Sequence, residues 1–523
     1  MNIPIERIIE ELSKPEAYPH EVSEVQVIQT HISVVFITDE RVYKVKKPVD
    51  FGFLDFTTLE KRQHFCFEEL ALNRRLSPEV YLDVVPVTEQ DGTLKFGGMG
   101  KPVEYAVLMV RLAEDRILIN LLEKGEADEL MMKRIAEKIS GFHLSAETSK
   151  EIIEIGGTAA VDFNTEEDFS QIEPYIGLTL SESTFDLLTD YTRIFREVNS
   201  GLFEAREAGG WIRDGHGDLH TQHICMDNGI QIFDCIEFNL RFRYSDILCD
   251  AAFLAMDLER LGHTELATAY TEAYLSAAGQ EGTKALYNFY TCYRAIVRGK
   301  VEGFRFHDPS ISKSEAAQAK ENAADFMLLA ERYAKTLYPP TLFIICGLMG
   351  SGKSSVAEGL AGRLDLSILS SDRVRKELAG IDPGESQKVP FDSGIYSQEM
   401  TQRTYDKMNT TAAGILKTGG SVILDATFID PVRRKASVNT SRKTGARPIF
   451  LYLEADGTTL RARLRKRVKE RSISDGREEI LDDQLKAFIP PDELSDEQRL
   501  NLKASKATEE MVRSAYRRAL YAS

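Results

Sequence analysis

Two stretches carry residues whose types and spacing could do chemistry. The first is His216-Gly217-Asp218-Leu219-His220-Thr221-Gln222-His223-Ile224, which gathers three of the nine histidines into eight residues. The spacing H-x3-H-x2-H offers imidazoles to a metal, and His216, His220 and His223 with a water would make a catalytic zinc site. Asp218, two residues after a histidine, points instead to phosphoryl transfer, in which a carboxylate accepts the proton of the attacking hydroxyl. The second is Gly347-Leu348-Met349-Gly350-Ser351-Gly352-Lys353-Ser354, a complete G-x-x-x-x-G-K-[ST] followed by Ser355. In such a loop the glycines let backbone N–H groups wrap phosphate oxygens, the lysine reaches the β- and γ-phosphates, and the hydroxyl of Ser354 holds Mg²⁺. These nine residues are the expected ATP contacts of the second stretch.

Phosphoryl transfer at the first stretch demands more parts: a strand lysine for the phosphates, a helix glutamate to orient it, and a metal-holding aspartate. RVYKVKKP offers Lys44 and Lys46, two apart and so on one face of a strand, with Lys47 on the other. Lys44, mid-strand after Val42-Tyr43, is the first choice for the ATP contact and Lys46 the alternative. CFEELALNRRLSP supplies Glu68 and Glu69, of which Glu69 has the spacing to Leu72 and Leu76 that keeps it beside a packed face. Downstream, the hairpin signal Asn228-Gly229 and the run Gln231-Ile232-Phe233 deliver Asp234.

Around the second stretch, SILSSDRVRKEL puts Asp372 after a strand, where it would accept the acceptor's proton or cap the following helix. VILDATF ends a buried strand at Asp425, a candidate ligand of the metal through its water, or of the substrate. LRARLRKRVKERSISDGREEIL is an Arg-rich helix and loop whose Arg467 and Arg471 would close on the ATP phosphates.

The elements that must position these residues divide near Tyr338-Pro339-Pro340, where a Pro pair ends a long Ala/Glu/Lys-rich helix and TLFIICG begins a buried strand. Residues 1–110 read as a strand-rich lobe and 111–337 as a helical lobe; 338–523 alternate buried strands with helices, a parallel α/β pattern. The chain has 523 residues and a net charge of −17, which disfavours bulk binding to nucleic acid or anionic membranes. Six cysteines without a C-x-x-C pair suit free buried thiols in a reducing cytosol. No apolar run approaches the ~20 residues of a membrane span, and the acidic amphipathic start lacks a signal-peptide layout, so a cytoplasmic location is expected.

HGDLHTQHI followed by IFDCIEF, with echoes in FHLSAE around His143 and DILCDAAFL with Asp246 and Asp250, resembles the aminoglycoside phosphotransferase-like branch of the protein-kinase-like fold. That resemblance implies an α+β two-lobed domain in which Asp218 is the catalytic base, Asp234 the main Mg²⁺ ligand and Lys44 the phosphate contact, with His216 bracing the loop. The chain departs from the family where its metal-binding Asn becomes His223. Imidazole nitrogen prefers ions such as Mn²⁺ or Zn²⁺, so either the second metal position is altered, Gln222 substitutes, or the site is weakened. Residues 340–490 resemble P-loop kinases of the zeta-toxin, polynucleotide-kinase and gluconate-kinase type, and the whole resembles bacterial two-domain proteins that fuse these folds. The implied function is a bifunctional ATP- and Mg²⁺-dependent phosphotransferase acting on hydroxyls of small molecules. The alternative is a nucleotide-sensing first domain that regulates a single active P-loop kinase.

Overall fold

The computed structural model describes residues 3–382, 385, 392–467, 478–496 and 498–522, with only the backbone of Arg467. Packing divides the chain into two units, Met1–Ser181 with Gly201–Ala330 and Glu182–Ser200 with Glu331–Ser523.

The first unit opens with an antiparallel sheet of β1 (Gln26–Gln29), β2 (Ser33–Ile37), β3 (Arg41–Lys46), β4 (Tyr81–Gln90), β5 (Thr93–Phe96) and β6 (Lys101–Val110), in the order β1-β2-β3-β6-β4-β5. Alternation sends Tyr43 and Val45 of β3 to one face, where they join Val34, Phe36, Phe96 and Ala106 against Ile8 and Leu12 of the helix Ile5–Leu12. The other face, which takes Lys44 and Lys46, is covered by the helix Leu59–Asn73. That helix starts where the Thr58 side chain accepts from the Lys61 N–H. Its Cys66 and Leu70 pack on Val84 and Val107, and burying each such side chain is worth roughly 1.5–3 kcal/mol. The apolar stripe thus fixes the helix, and Glu69 is carried inside with it.

Beyond β6 the unit is mainly helical. The helix Ile247–Arg260 is buried at every position from Ile247 to Leu258. Two short ribbons interrupt the helices: Ile212–Asp214 pairs with Tyr244–Asp246, and Ile224–Cys225 with Gln231–Ile232. Asn228 and Gly229 close the second ribbon with φ of 48° and 106°. The sheet, its covering helix and this helical region with its two loops make the two-lobed protein-kinase-like architecture.

The second unit is a parallel five-stranded sheet in the order Ser367–Ser370, Val422–Asp425, Thr341–Cys346, Arg447–Glu454, Arg499–Lys503. The central strand Thr341–Cys346 is buried throughout, as a doubly covered parallel strand must be. The helix Glu182–Val198 belongs to this unit although its sequence lies well before the Pro pair. Leu187, Leu188, Tyr191, Ile194 and Phe195 form its buried stripe. Asn199 donates to the Leu520 carbonyl at 2.9 Å, and Arg363 pairs with Asp190 at 2.6 Å. A single boundary at 337/338 therefore does not describe the packing, because this amphipathic helix buries its apolar face in the second unit.

Candidate active sites

Lys44 and Lys46 share one carboxylate. Lys44 Nζ lies 2.9 Å from Glu69 Oε1 and 2.6 Å from Asp234 Oδ1; Lys46 Nζ bonds Glu69 Oε2 at 2.7 Å and also pairs with Glu237. Lys46 is fully buried, whereas the Lys44 side chain keeps 14% of its exposure. Burial alone would lower the Lys44 ammonium, but Asp234 and then Glu69 outweigh it and raise it well above its ordinary value. Burial acts first on Glu237 as well and raises its carboxyl despite Lys46. A fully buried lysine must have such partners, so Lys46 is sealed among its carboxylates while Lys44 is the lysine that keeps some solvent exposure.

The loop at Asp218 is held from behind by Asp250, which accepts the His216 N–H at 2.6 Å and the Gly217 N–H at 2.9 Å. His143 Nε2 lies 3.0 Å from the same carboxylate. Gly217 has φ +87°, and a Cβ there would meet the Phe242 carbonyl at 3.0 Å, so glycine is needed for the turn that presents Asp218. Asp234 also sits in the left-handed region, at φ 62°, with its N–H donating to the Tyr81 hydroxyl.

The backbone sets the three histidine tautomers, since a carbonyl only accepts and an amide N–H only donates. His216 Nδ1 accepts the Asp218 N–H and its Nε2 donates to the Phe233 carbonyl at 3.0 Å. Both nitrogens are committed, so His216 is no metal ligand and the zinc triad His216, His220, His223 is not formed. Instead, Asp218, His220 and His223 bring their ligating atoms within 4.8 Å of one another. His223 Nδ1 donates to the Asp218 carbonyl at 2.9 Å, which leaves the Nε2 lone pair 3.5 Å from Asp234 Oδ2. Burial and then His220 pull the His223 imidazole down to about 4, so it is neutral at pH 7. Burial acts upward on the Asp218 and Asp234 carboxyls. His220 overcomes it at Asp218 and Lys44 at Asp234, and both are held below the usual range.

In the second unit Gly347, Gly350 and Gly352 have φ of 152°, 78° and 100°, and Lys353 begins the helix Lys353–Leu364. Lys353 Nζ donates to the Leu348 carbonyl at 3.0 Å, and the Met349 N–H donates to Gln484. Among the described residues the buried Ser351 hydroxyl has no hydrogen-bond partner, and Ser355 is exposed. Ser354 Oγ donates to Asp425 Oδ2 at 2.9 Å. Burial raises the Asp425 carboxyl, against Lys353 and Ser354. Asp372 lies in the first turn of the helix Ser371–Leu378 and pairs with Arg375 at 3.3 Å. The cap position is Ser370, so Asp372 is not the helix cap.

The side chain of Arg467 and all of Arg471 lie outside the described residues. Glu68 is half-buried while Glu69 carries both lysine contacts. Sequence reasoning passed over Glu237 and Arg463. Glu237 stands three residues after Asp234 in an apolar run, and a carboxylate in such a run needs a buried cation. Arg463 donates to the Ser351 carbonyl at 3.1 Å and to the Ala504 carbonyl at 2.5 Å, bracing the glycine loop. It lies one helical turn before Arg467, a spacing that carried the signal.

A family model described as an AAA domain, AAA_33, matches residues 342–491. The chain is 33% identical over 413 residues to Uncharacterized protein Rv2004c of Mycobacterium tuberculosis (strain ATCC 25618 / H37Rv), covering 78% of this chain and 80% of that protein. The chain belongs to the family of this mycobacterial protein. This Rv2004c-family chain is also 30% identical over 159 residues to a shikimate kinase of Legionella pneumophila (strain Paris), covering 30% of this chain and 81% of the relative. A choline/ethanolamine kinase family protein from Mesorhizobium loti matches in structure with 12% identity and a TM-score of 0.37, covering 62% of this chain and 98% of that one. The chain is a kinase, with a P-loop kinase domain at its C-terminal end. Among the described residues no helix is long and apolar enough to cross a membrane.

Proposed function

We propose that the chain transfers the γ-phosphoryl group of ATP to hydroxyls of small-molecule acceptors at two sites, one in each unit. One observation carries the reading: each unit brings a lysine, a metal-type oxygen donor and a separate carboxylate close to one another. In the first these are Lys44, Asp234 and Asp218, and in the second Lys353, Ser354 with Asp425, and Asp372.

The residues fit MgATP. Ser354 and Asp425 are hard oxygen donors of the kind Mg²⁺ takes, and the unpartnered Ser351 hydroxyl with the three left-handed glycines makes a cradle for phosphate oxygens. In the first unit Asp234 and the free Nε2 of His223 form a mixed oxygen–nitrogen pair that also suits Mn²⁺. When bound, MgATP supplies the γ-phosphoryl group. Lys44 would leave Asp234 to hold phosphate oxygens while Glu69 keeps its ammonium in line. Asp218 would accept the acceptor's hydroxyl proton as the transferred group leaves ATP. Lys353 would turn from the Leu348 carbonyl to the phosphates, and Asp372 would take the proton in the second unit.

The test is full-length chain with γ-labelled ATP and a panel of small alcohols, with products read by mass spectrometry. Asp218→Asn and Lys353→Ala are expected to remove different products, and the double variant all of them. Loss of every product in Lys353→Ala alone would leave a single active site.

A further inference from the structure

We propose that His220 is a positioning residue for Asp218, donating its Nε2–H to one carboxylate oxygen so that the other stays free for the acceptor hydroxyl. The inference rests on Asp218 being the base. His220 Nε2 lies 3.3 Å from Asp218 Oδ2. Its other nitrogen, Nδ1, accepts the Gln222 N–H at 3.3 Å, so the ring proton sits on Nε2. The residue is 5% exposed and packed against two rings, with its ring centroid 3.9 Å from that of His223 and 5.7 Å from that of Phe253. Thr221, the next residue, is anchored through both its N–H and its hydroxyl to Asp257. The donor therefore cannot swing away from the carboxylate.

The arrangement is one-sided. His223 Nδ1 lies 3.6 Å from the same Oδ2, but its proton goes to the Asp218 carbonyl. Both histidines thus meet Oδ2, and Oδ1 is left for a hydroxyl proton. The same tautomer argues against Asp218, His220 and His223 acting as a metal tripod. A cation on Nε2 would move the His220 proton to Nδ1, where it would oppose the Gln222 N–H.

Three variants of the full chain test this, each carrying Lys353→Ala so that only first-site turnover is read, with MgATP as the sole probe and released phosphate as the signal. His220→Phe keeps a flat ring without the donor; kcat is expected to fall about 10- to 100-fold, the range for losing a hydrogen bond to a charged group, with KM for ATP unchanged. His220→Gln keeps a donor at similar reach and is expected to recover most of that loss. Asp218→Asn is expected to be at least as slow as His220→Phe. Wild-type turnover in His220→Phe beside a dead Asp218→Asn overturns the positioning role and leaves the base reading intact. Wild-type turnover in Asp218→Asn overturns both. A readout independent of activity and of variant folding is long-range ¹H–¹⁵N correlation on histidine-labelled wild-type chain. A proton on Nε2 of His220 is expected, and a proton on Nδ1 overturns the proposal.

Discussion

The two candidate sites solve one problem with different materials. In the second unit the cation and the phosphate cradle come from eight consecutive residues, and the work falls to backbone N–H groups and glycine φ angles. In the first unit Lys44 and Asp234 meet across 190 residues of sequence, and the cation is set by a network of side-chain ion pairs through Glu69. A backbone site tolerates change around it, because loop geometry alone aims the donors. A site made of buried ion pairs is coupled to stability, because losing one partner strands a charge.

That contrast can be broken at several places. The largest expected effect is Asp218→Asn, which should lower first-site product formation about 10²- to 10⁴-fold while second-site products form at the wild-type rate. Lys353→Ala should do the converse, with a loss of about 10²- to 10³-fold. Lys46→Met leaves Glu237 buried without its cation and should destabilise the first unit by about 3 kcal/mol, read from urea unfolding followed by domain-specific probes. Lys44→Met should destabilise less, because Asp234 is 41% exposed and water can replace the ammonium. The contrast fails if these two variants unfold alike. The smallest effect is His223→Asn, which should shift the Mn²⁺-to-Mg²⁺ activity ratio toward Mg²⁺ by a few-fold, on the order of one lost nitrogen ligand. An unchanged ratio and rate would remove His223 from the metal.

Legibility in the sequence followed the same divide. The glycine loop, its buried strand and its helix are local, so pattern and structure coincide from Thr341 to Leu364. The alternation of β3 put Lys44 and Lys46 on one face, and their sharing of Glu69 follows from that register. What the sequence could not show was which lysine would be sealed, because that depends on Glu237 arriving from the distant loop that follows the Gln231–Ile232 strand. The spacing of the three histidines also allowed a metal triad, and it is the backbone groups facing each ring that fix which nitrogen each has to offer. The helix Glu182–Val198 was equally hidden, since an amphipathic stripe states that a face is buried and not against what.

Two nucleotide sites in one chain are the central claim, and the stoichiometry of a non-hydrolysable MgATP analogue binding to the full-length chain tests it most directly. Titration calorimetry should give two equivalents per chain, falling to one in Lys353→Ala. One equivalent in the wild type that vanishes in Lys353→Ala would contradict the account.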